Sequence, residues 1–165
     1  MLKVLKFGGS SLADSSQFAK VKKIVESDSS REVVIVSAPG KRCSSDNKIT
    51  DLLYLIHAHI KYGVAYDGVL SMIKERYVEI KEGCGLDIDI AGVMDDTFAG
   101  VDKKTSVDFL ASRGEYFSAR LMAEYLGYQF VDAVDWLCFE YSGKEMPRNQ
   151  KKSSENSRVD RKAHV

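Results

Sequence analysis

Three short stretches carry residues whose types and spacing can do chemistry. The first is KFGGSS at residues 6–11, in which Lys6 precedes Gly8, Gly9 and Ser10. Paired glycines permit backbone geometry that other residues resist, so several N–H groups can converge on an anion, and Lys6 adds a point charge. Taken alone, the stretch fits both a phosphate cradle and a plain turn after a strand. The second is ASRGEYFSAR at 111–120, where Arg113, Glu115 and Arg120 surround Gly114. Glycine inside a helix costs about 1 kcal/mol relative to alanine, which invites close approach by another backbone or a ligand. Glu115 either receives a cationic group such as a substrate amine or belongs to a solvated charged face. The third is DNKITDLLYLI at 46–56. Thr50 stands near the start of a helix, where a hydroxyl and free backbone amides can bind a carboxylate, and where an ordinary first-turn residue also fits.

Other chemistries find little support. SAPGKR has a Gly-Lys-Arg run but lacks the earlier spaced glycine and the following Ser/Thr of a P-loop, and no G-x-G-x-x-G occurs. Cys43, Cys84 and Cys138 are far apart and form neither a C-x-x-C pair nor a zinc spacing, so they read as reduced thiols. His57 and His59, two apart on a helix, point to different faces and cannot share a metal; no metal ligands are assigned. Lys and Arg total 24 against 24 Asp and Glu, so no global basic field draws nucleic acid or an anionic membrane, and anion binding must be local. The absence of a long apolar run or a signal-peptide pattern points to the cytoplasm.

The elements that must position these residues follow from periodicity. Leu2 to Phe7 reads as a strand, and Asp14 with Gln17 opens a helix whose face is Phe18, Val21, Ile24 and Val25. Val33 to Val36 is a β-branched run typical of a parallel strand covered on both sides, and SAPGKRCSSDNK is a loop. Asp46 or Asn47 caps the next helix, with Ile49, Leu52, Leu53, Ile56 and Ile60 on one face and Gly63 at its end. A helix over 67–82 stops at Gly83, and a long one over 106–126 stops at Gly127 before a strand over 128–131. Residues 86–101 are compatible with a strand, a helix or a lid. With 165 residues and 44% hydrophobic content, the chain can close one core. The alternation predicts an α/β fold with a mainly parallel sheet. Ligands of such sheets sit at the carboxyl ends of strands, so KFGGSS and SAPGKR are expected to face one crevice. Residues 141–165 are dominated by Lys, Arg, Ser, Asn and Gln, the composition of a disordered or solvated tail.

In this order, KFGGSS, VVIVSAPGKR, DNKITDLL, FLASRGEYFSARLMAEYLGY and FVDA resemble the N-terminal part of aspartate kinases, members of the amino acid kinase family. The resemblance runs from about Leu2 to Phe139 and implies a three-layer α/β/α fold. Residues 1–140 would be the aspartate-binding part, and the reaction would move the γ-phosphoryl group of ATP to the β-carboxylate of L-aspartate, the first step toward lysine, threonine and methionine. By resemblance, Lys6 stabilises the transferring phosphoryl group, Gly8, Gly9 and Ser10 lend phosphate contacts, Thr50 helps hold aspartate, and Glu115 pairs with its ammonium. Mg2+ is implied through ATP. The family's glycine-rich R-G-G-S-D-like segment, ATP-binding region and regulatory ACT domains find no counterpart in these residues. The pattern is lost abruptly after Lys144, as a frameshift or premature stop would leave it. The expected product is a truncated kinase, or a non-catalytic remnant that binds aspartate or phosphate or pairs with a full-length homologue. A sheet lacking strands also leaves an uncovered edge for self-association.

Overall fold

The structure, a computed structural model, describes residues 1–135 and the backbone of 162–164. Two strands open it, β1 (Lys3–Phe7) and β2 (Arg31–Val36), separated by a 3-10 turn over Gly9–Leu12 and helix α1 (Ser15–Glu26). Four helices follow: α2 (Ile49–Tyr62), α3 (Asp67–Gly83), α4 (Ile90–Ala99) and α5 (Val107–Leu126). Strand β3 (Gln129–Val131) closes the continuous part, and β4 (Lys162–His164) completes the sheet. Strand order is β1-β2-β4-β3, and every pairing is parallel. The α/β class with a parallel sheet is therefore as expected.

Local sequence explains most boundaries. Asp14 caps α1, its carboxylate accepting from the Gln17 amide at 2.9 Å, and Ser106 caps α5 through the Phe109 amide at 3.1 Å. Gly63 and Gly127 end α2 and α5 in the left-handed region, with φ of 69° and 65°. Helix α3 departs slightly from expectation. Gly83 is still helical, where the absence of a Cβ leaves room for the Ser15 side chain, and Gly85 takes the left-handed turn instead.

Residues 86–101 resolve as a helix. Asp89 caps α4 by accepting from the Gly92 amide, and Ile90, Met94 and Phe98, four apart, bury one face. The preceding Leu86-Asp87-Ile88-Asp89-Ile90 alternates like a strand, which masks the start of that face in the sequence.

Helix α5 is the hub of the core: it lies on β2, β3 and β4 and touches each of the other helices. Its Leu110, Phe117, Leu121 and Met122 are fully buried, together with Leu53 and Ile56 of α2 and Ile73 and Tyr77 of α3. Each such side chain contributes on the order of 1.5–3 kcal/mol through burial. Cover on β2 is one-sided among the described residues. Val34 and Val36 are buried, whereas Val33 and Ile35 are half-buried and Val4 of β1 is 57% exposed.

Of the polar stretch from residue 141 onward, only Lys162–His164 is described. These three residues pair with β2 on one side and β3 on the other. Backbone groups of two parallel neighbours can hold a strand whatever its side chains, which composition does not reveal. The expected tail otherwise lies outside the described residues, as does Cys138.

Candidate functional site

The carboxyl ends of β1 and β2 build one crevice. After β2, the Ser37 amide donates to the Phe7 carbonyl at 3.1 Å, and the Gly40 amide donates to the Gly9 carbonyl at 2.8 Å. The two loops are thus joined backbone to backbone. The contact leaves no room for side chains: a Cβ on Gly9 would lie 2.8 Å from the Ala38 carbonyl oxygen, and one on Gly40 would lie 2.8 Å from the Gly9 carbonyl carbon. Neither Gly8 nor Gly9 has positive φ. The glycine doublet therefore serves close approach at Gly9 rather than unusual dihedral angles, which corrects the reading from sequence.

Two helices close the remaining sides. The Ile49 amide, at the start of α2, donates to the Pro39 carbonyl at 3.2 Å and ties that helix to the loop. Thr50 and Lys48 thereby face the crevice. Lys48, not Asp46 or Asn47, occupies the cap position of α2 and makes no side-chain cap. Asp46 is engaged elsewhere, by Arg42 and Arg76. From α5, Gly114 approaches so closely that a Cβ would stand 2.6 Å from the Ala38 Cβ and 3.2 Å from Leu53 Cδ1. This is the close approach its helical position invites. It brings the next residue, Glu115, to the β2 loop, where Oε1 accepts from the Ala38 amide at 3.2 Å.

The resulting cavity is about 550 Å³ and is lined by Gly9, Ser10, Ser37, Ala38, Pro39, Gly40, Lys41, Lys48, Thr50 and Glu115. Of the residues singled out in the sequence, Gly9, Ser10, Thr50 and Glu115 meet there. Lys6 and Gly8 stand beside it: Lys6 is exposed, with its Nζ 3.9 Å from where a Gly8 Cβ would be. Arg113 and Arg120 do not take part. Arg113 is 8% exposed and stacks on Phe109 and Tyr116, and Arg120 stacks on Tyr116 and Phe130 while its Nε donates to the Tyr116 hydroxyl. Burial pushes the Arg113 pKa down.

Sequence reasoning singles out none of four participants by residue, although Ser37 and Lys41 lie in the SAPGKR stretch expected at the crevice. Ser37 follows directly on the β-branched run and is reachable by the rule that strand ends carry sites. Lys41 and Lys48 sit in loop residues with no periodic signal. Arg76 falls three residues after Ile73, on the buried face of α3, where a charge is unexpected. Its guanidinium, 5% exposed, donates to the Gly40 carbonyl at 3.0 Å and to Asp46 Oδ2 at 2.5 Å. Burial works to raise the Asp46 pKa, but hydrogen bonds from Arg42 and the Arg76 charge overcome it, holding the carboxyl well below its usual range.

Chemically, the cavity pairs one carboxylate with two lysines, two serines and a threonine at a helix start, with Lys6 exposed on the adjoining strand β1. Such a set suits a small zwitterion with extra negative charge. Among the described residues, no group of three or more His, Cys, Asp or Glu is placed to hold a metal ion, and no helix is long and apolar enough to cross a membrane.

Comparison with known proteins agrees with this architecture. The chain is 38% identical to Aspartokinase 3 of Bacillus subtilis (strain 168) over 139 residues, 80% of this chain and 30% of that protein. It is 30% identical over 137 residues to the chloroplastic bifunctional aspartokinase/homoserine dehydrogenase 1 of Arabidopsis thaliana, covering 73% of this chain and 14% of that one. Its fold superposes on Clostridium acetobutylicum aspartate kinase with a TM-score of 0.89 at 41% identity, covering 99% of this chain and 38% of that structure. E. coli aspartokinase III, in complex with aspartate and ADP, gives a TM-score of 0.68 at 25% identity over 89% of this chain and 35% of its own. The chain thus spans 14% to 38% of the length of these proteins. The model of the amino acid kinase family matches residues 1–163. With the parallel sheet, the joined glycine loops and these similarities together, the chain belongs to the amino acid kinase family.

Proposed function

We propose that residues 1–140 form the aspartate-binding part of an aspartate kinase, and that the crevice holds L-aspartate for phosphoryl transfer from ATP. The observation that carries this reading is Glu115, whose carboxylate is fixed on the Ala38 amide at the wall of a cavity otherwise furnished with cations and hydroxyls. One oxygen is occupied by the amide, leaving the other to receive the α-ammonium of an amino acid. Thr50, in the first turn of α2, offers its hydroxyl and the positive end of the helix to a carboxylate.

Phosphoryl transfer asks for positioning and charge neutralisation more than covalent help from the protein. A β-carboxylate oxygen of aspartate attacks the γ-phosphorus, the bond to the ADP oxygen breaks, and aspartyl phosphate and ADP result. Lys6, at the rim on the carboxyl end of β1, neutralises charge on the moving phosphoryl group. Gly8, Gly9 and Ser10 set the backbone against which that group lies. Mg2+ enters with ATP as part of the co-substrate. The reading places the protein in the cytoplasm, where ATP is supplied.

The test is incubation of the purified chain with L-aspartate, Mg-ATP and hydroxylamine, followed by assay of aspartyl hydroxamate. Product that falls at least tenfold, about 1.4 kcal/mol in the barrier, in Lys6→Ala supports a working kinase. Absence of product with retained aspartate binding assigns the chain to binding alone. Absence of both removes the reading.

A further inference from the structure

We infer that Arg76 is a positioning residue for the crevice: from α3, outside the cavity, its guanidinium clamps the loop that carries two of the cavity's cations. Residues 37–48 contain neither helix nor strand, so their place must be set by specific ties. Gly40 is held through both of its backbone groups, its N–H donating to the Gly9 carbonyl at 2.8 Å and its carbonyl accepting from Arg76 Nη1 at 3.0 Å. Nη1 also reaches the Ala13 carbonyl at 3.5 Å, on the segment leading from the β1 loop into α1. Nη2 donates to Asp46 at 2.5 Å, and Asp46 in turn accepts from the Arg42 amide at 2.9 Å and Arg42 Nε at 3.1 Å. Lys41 follows the clamped Gly40, and Lys48 lies two residues past the clamped Asp46. One planar fork therefore fixes both ends of the span that presents these lysines to the cavity.

The cost of the arrangement supports a role in position. Arg76 Nε is buried and has no partner among the described residues. A buried ion pair is often no more stabilising than apolar side chains of like volume, so core stability alone gives little reason for a guanidinium here. Its geometry explains it: the guanidinium holds a carbonyl on one nitrogen and a carboxylate on another in fixed, separated directions, whereas the donors of a lysine ammonium radiate from a single atom.

The functional side of this inference rests on the reading that the crevice binds aspartate, and the experiment separates the two. Arg76→Lys and Asp46→Asn, each in the 165-residue chain, are compared with wild type by amide hydrogen exchange and by calorimetric titration with L-aspartate. Ile73→Val, a buried change on the same helix, serves as a stability control. The expected result is exchange in residues 40–46 accelerated about tenfold, as loss of one charge-assisted hydrogen bond implies. Exchange in α5 should be unchanged, and the Kd for L-aspartate should rise about tenfold in both clamp variants but not in Ile73→Val. Unchanged exchange in 40–46 overturns the clamp, and so does a rise in Kd that Ile73→Val reproduces. Wild type that binds no L-aspartate overturns the functional reading, while loop exchange still decides the clamp. Should Arg76→Lys fail to fold, Asp46→Asn alone carries both measurements.

Discussion

At the scale of single residues, Gly8 and Gly9 are chemically identical neighbours with different obligations. A methyl group on Gly8 meets nothing closer than Lys6 Nζ at 3.9 Å, while one on Gly9 meets the Ala38 carbonyl at 2.8 Å. Gly8→Ala should change stability by no more than about 0.5 kcal/mol. Gly9→Ala should cost about 1–3 kcal/mol, because the obstacle is backbone and cannot swing aside. Urea unfolding of both variants checks the contrast. The doublet is legible in the sequence as a feature, but which glycine matters is not, since the obstacle, Ala38, is supplied by the separate loop after β2. Gly114 is better marked, because a glycine inside a strongly periodic helix already asks for a close neighbour. Glu115 is legible through the same motif, while its partner, the Ala38 amide, is not. Asp46 makes a second prediction at this scale. Its carboxyl is held well below the usual range, so its stabilising contribution is fully present above the unfolded pKa of about 3.9 and lost as pH falls toward the folded value. The stability difference between wild type and Asp46→Asn should be constant above about pH 5 and shrink below about pH 4. Denaturant titrations across that interval measure it.

Among the elements, boundaries written in cap chemistry are read most securely. Asp14, Gly63, Ser106 and Gly127 each stand where a helix starts or stops. Asp14→Ala should cost about 1 kcal/mol, through loss of the bond to the Gln17 amide, while α1 stays helical by circular dichroism. Where caps mislead, a tertiary demand has taken the residue. Asp46 fits a cap by type, yet Arg42 and Arg76 claim it, and α2 begins at Ile49 behind Lys48, which supplies no side-chain cap. Gly83 fits a stop, yet it remains helical, and its missing side chain makes room for Ser15. Helix α4 shows a third cause. Its face of Ile90, Met94 and Phe98 is short, and the alternation before it competes for the same reading. Position of an element within the sheet is a further step, since periodicity says that a segment is a strand but not which neighbours it takes.

For the molecule as a whole, the parallel sheet is predictable from the order of elements, and the crevice follows because parallel strands end together. Residues distant in sequence meet there for that reason: Gly9 after β1, Ser37 and Gly40 after β2, Thr50 on α2 and Glu115 on α5. The placement of Lys162–His164 between β2 and β3 is not predictable, because three polar-flanked residues carry no strand pattern of their own. On the proposed reading, this crevice recognises L-aspartate through Glu115. Isothermal titration of L-aspartate into wild type and Glu115→Gln tests it most directly, with succinate, which lacks the ammonium, as the companion ligand. Saturable heat is expected with wild type, with affinity for L-aspartate at least tenfold weaker in Glu115→Gln, the weight of one charge-assisted contact, and no comparable loss for succinate. Equal aspartate affinity in the two proteins would contradict it.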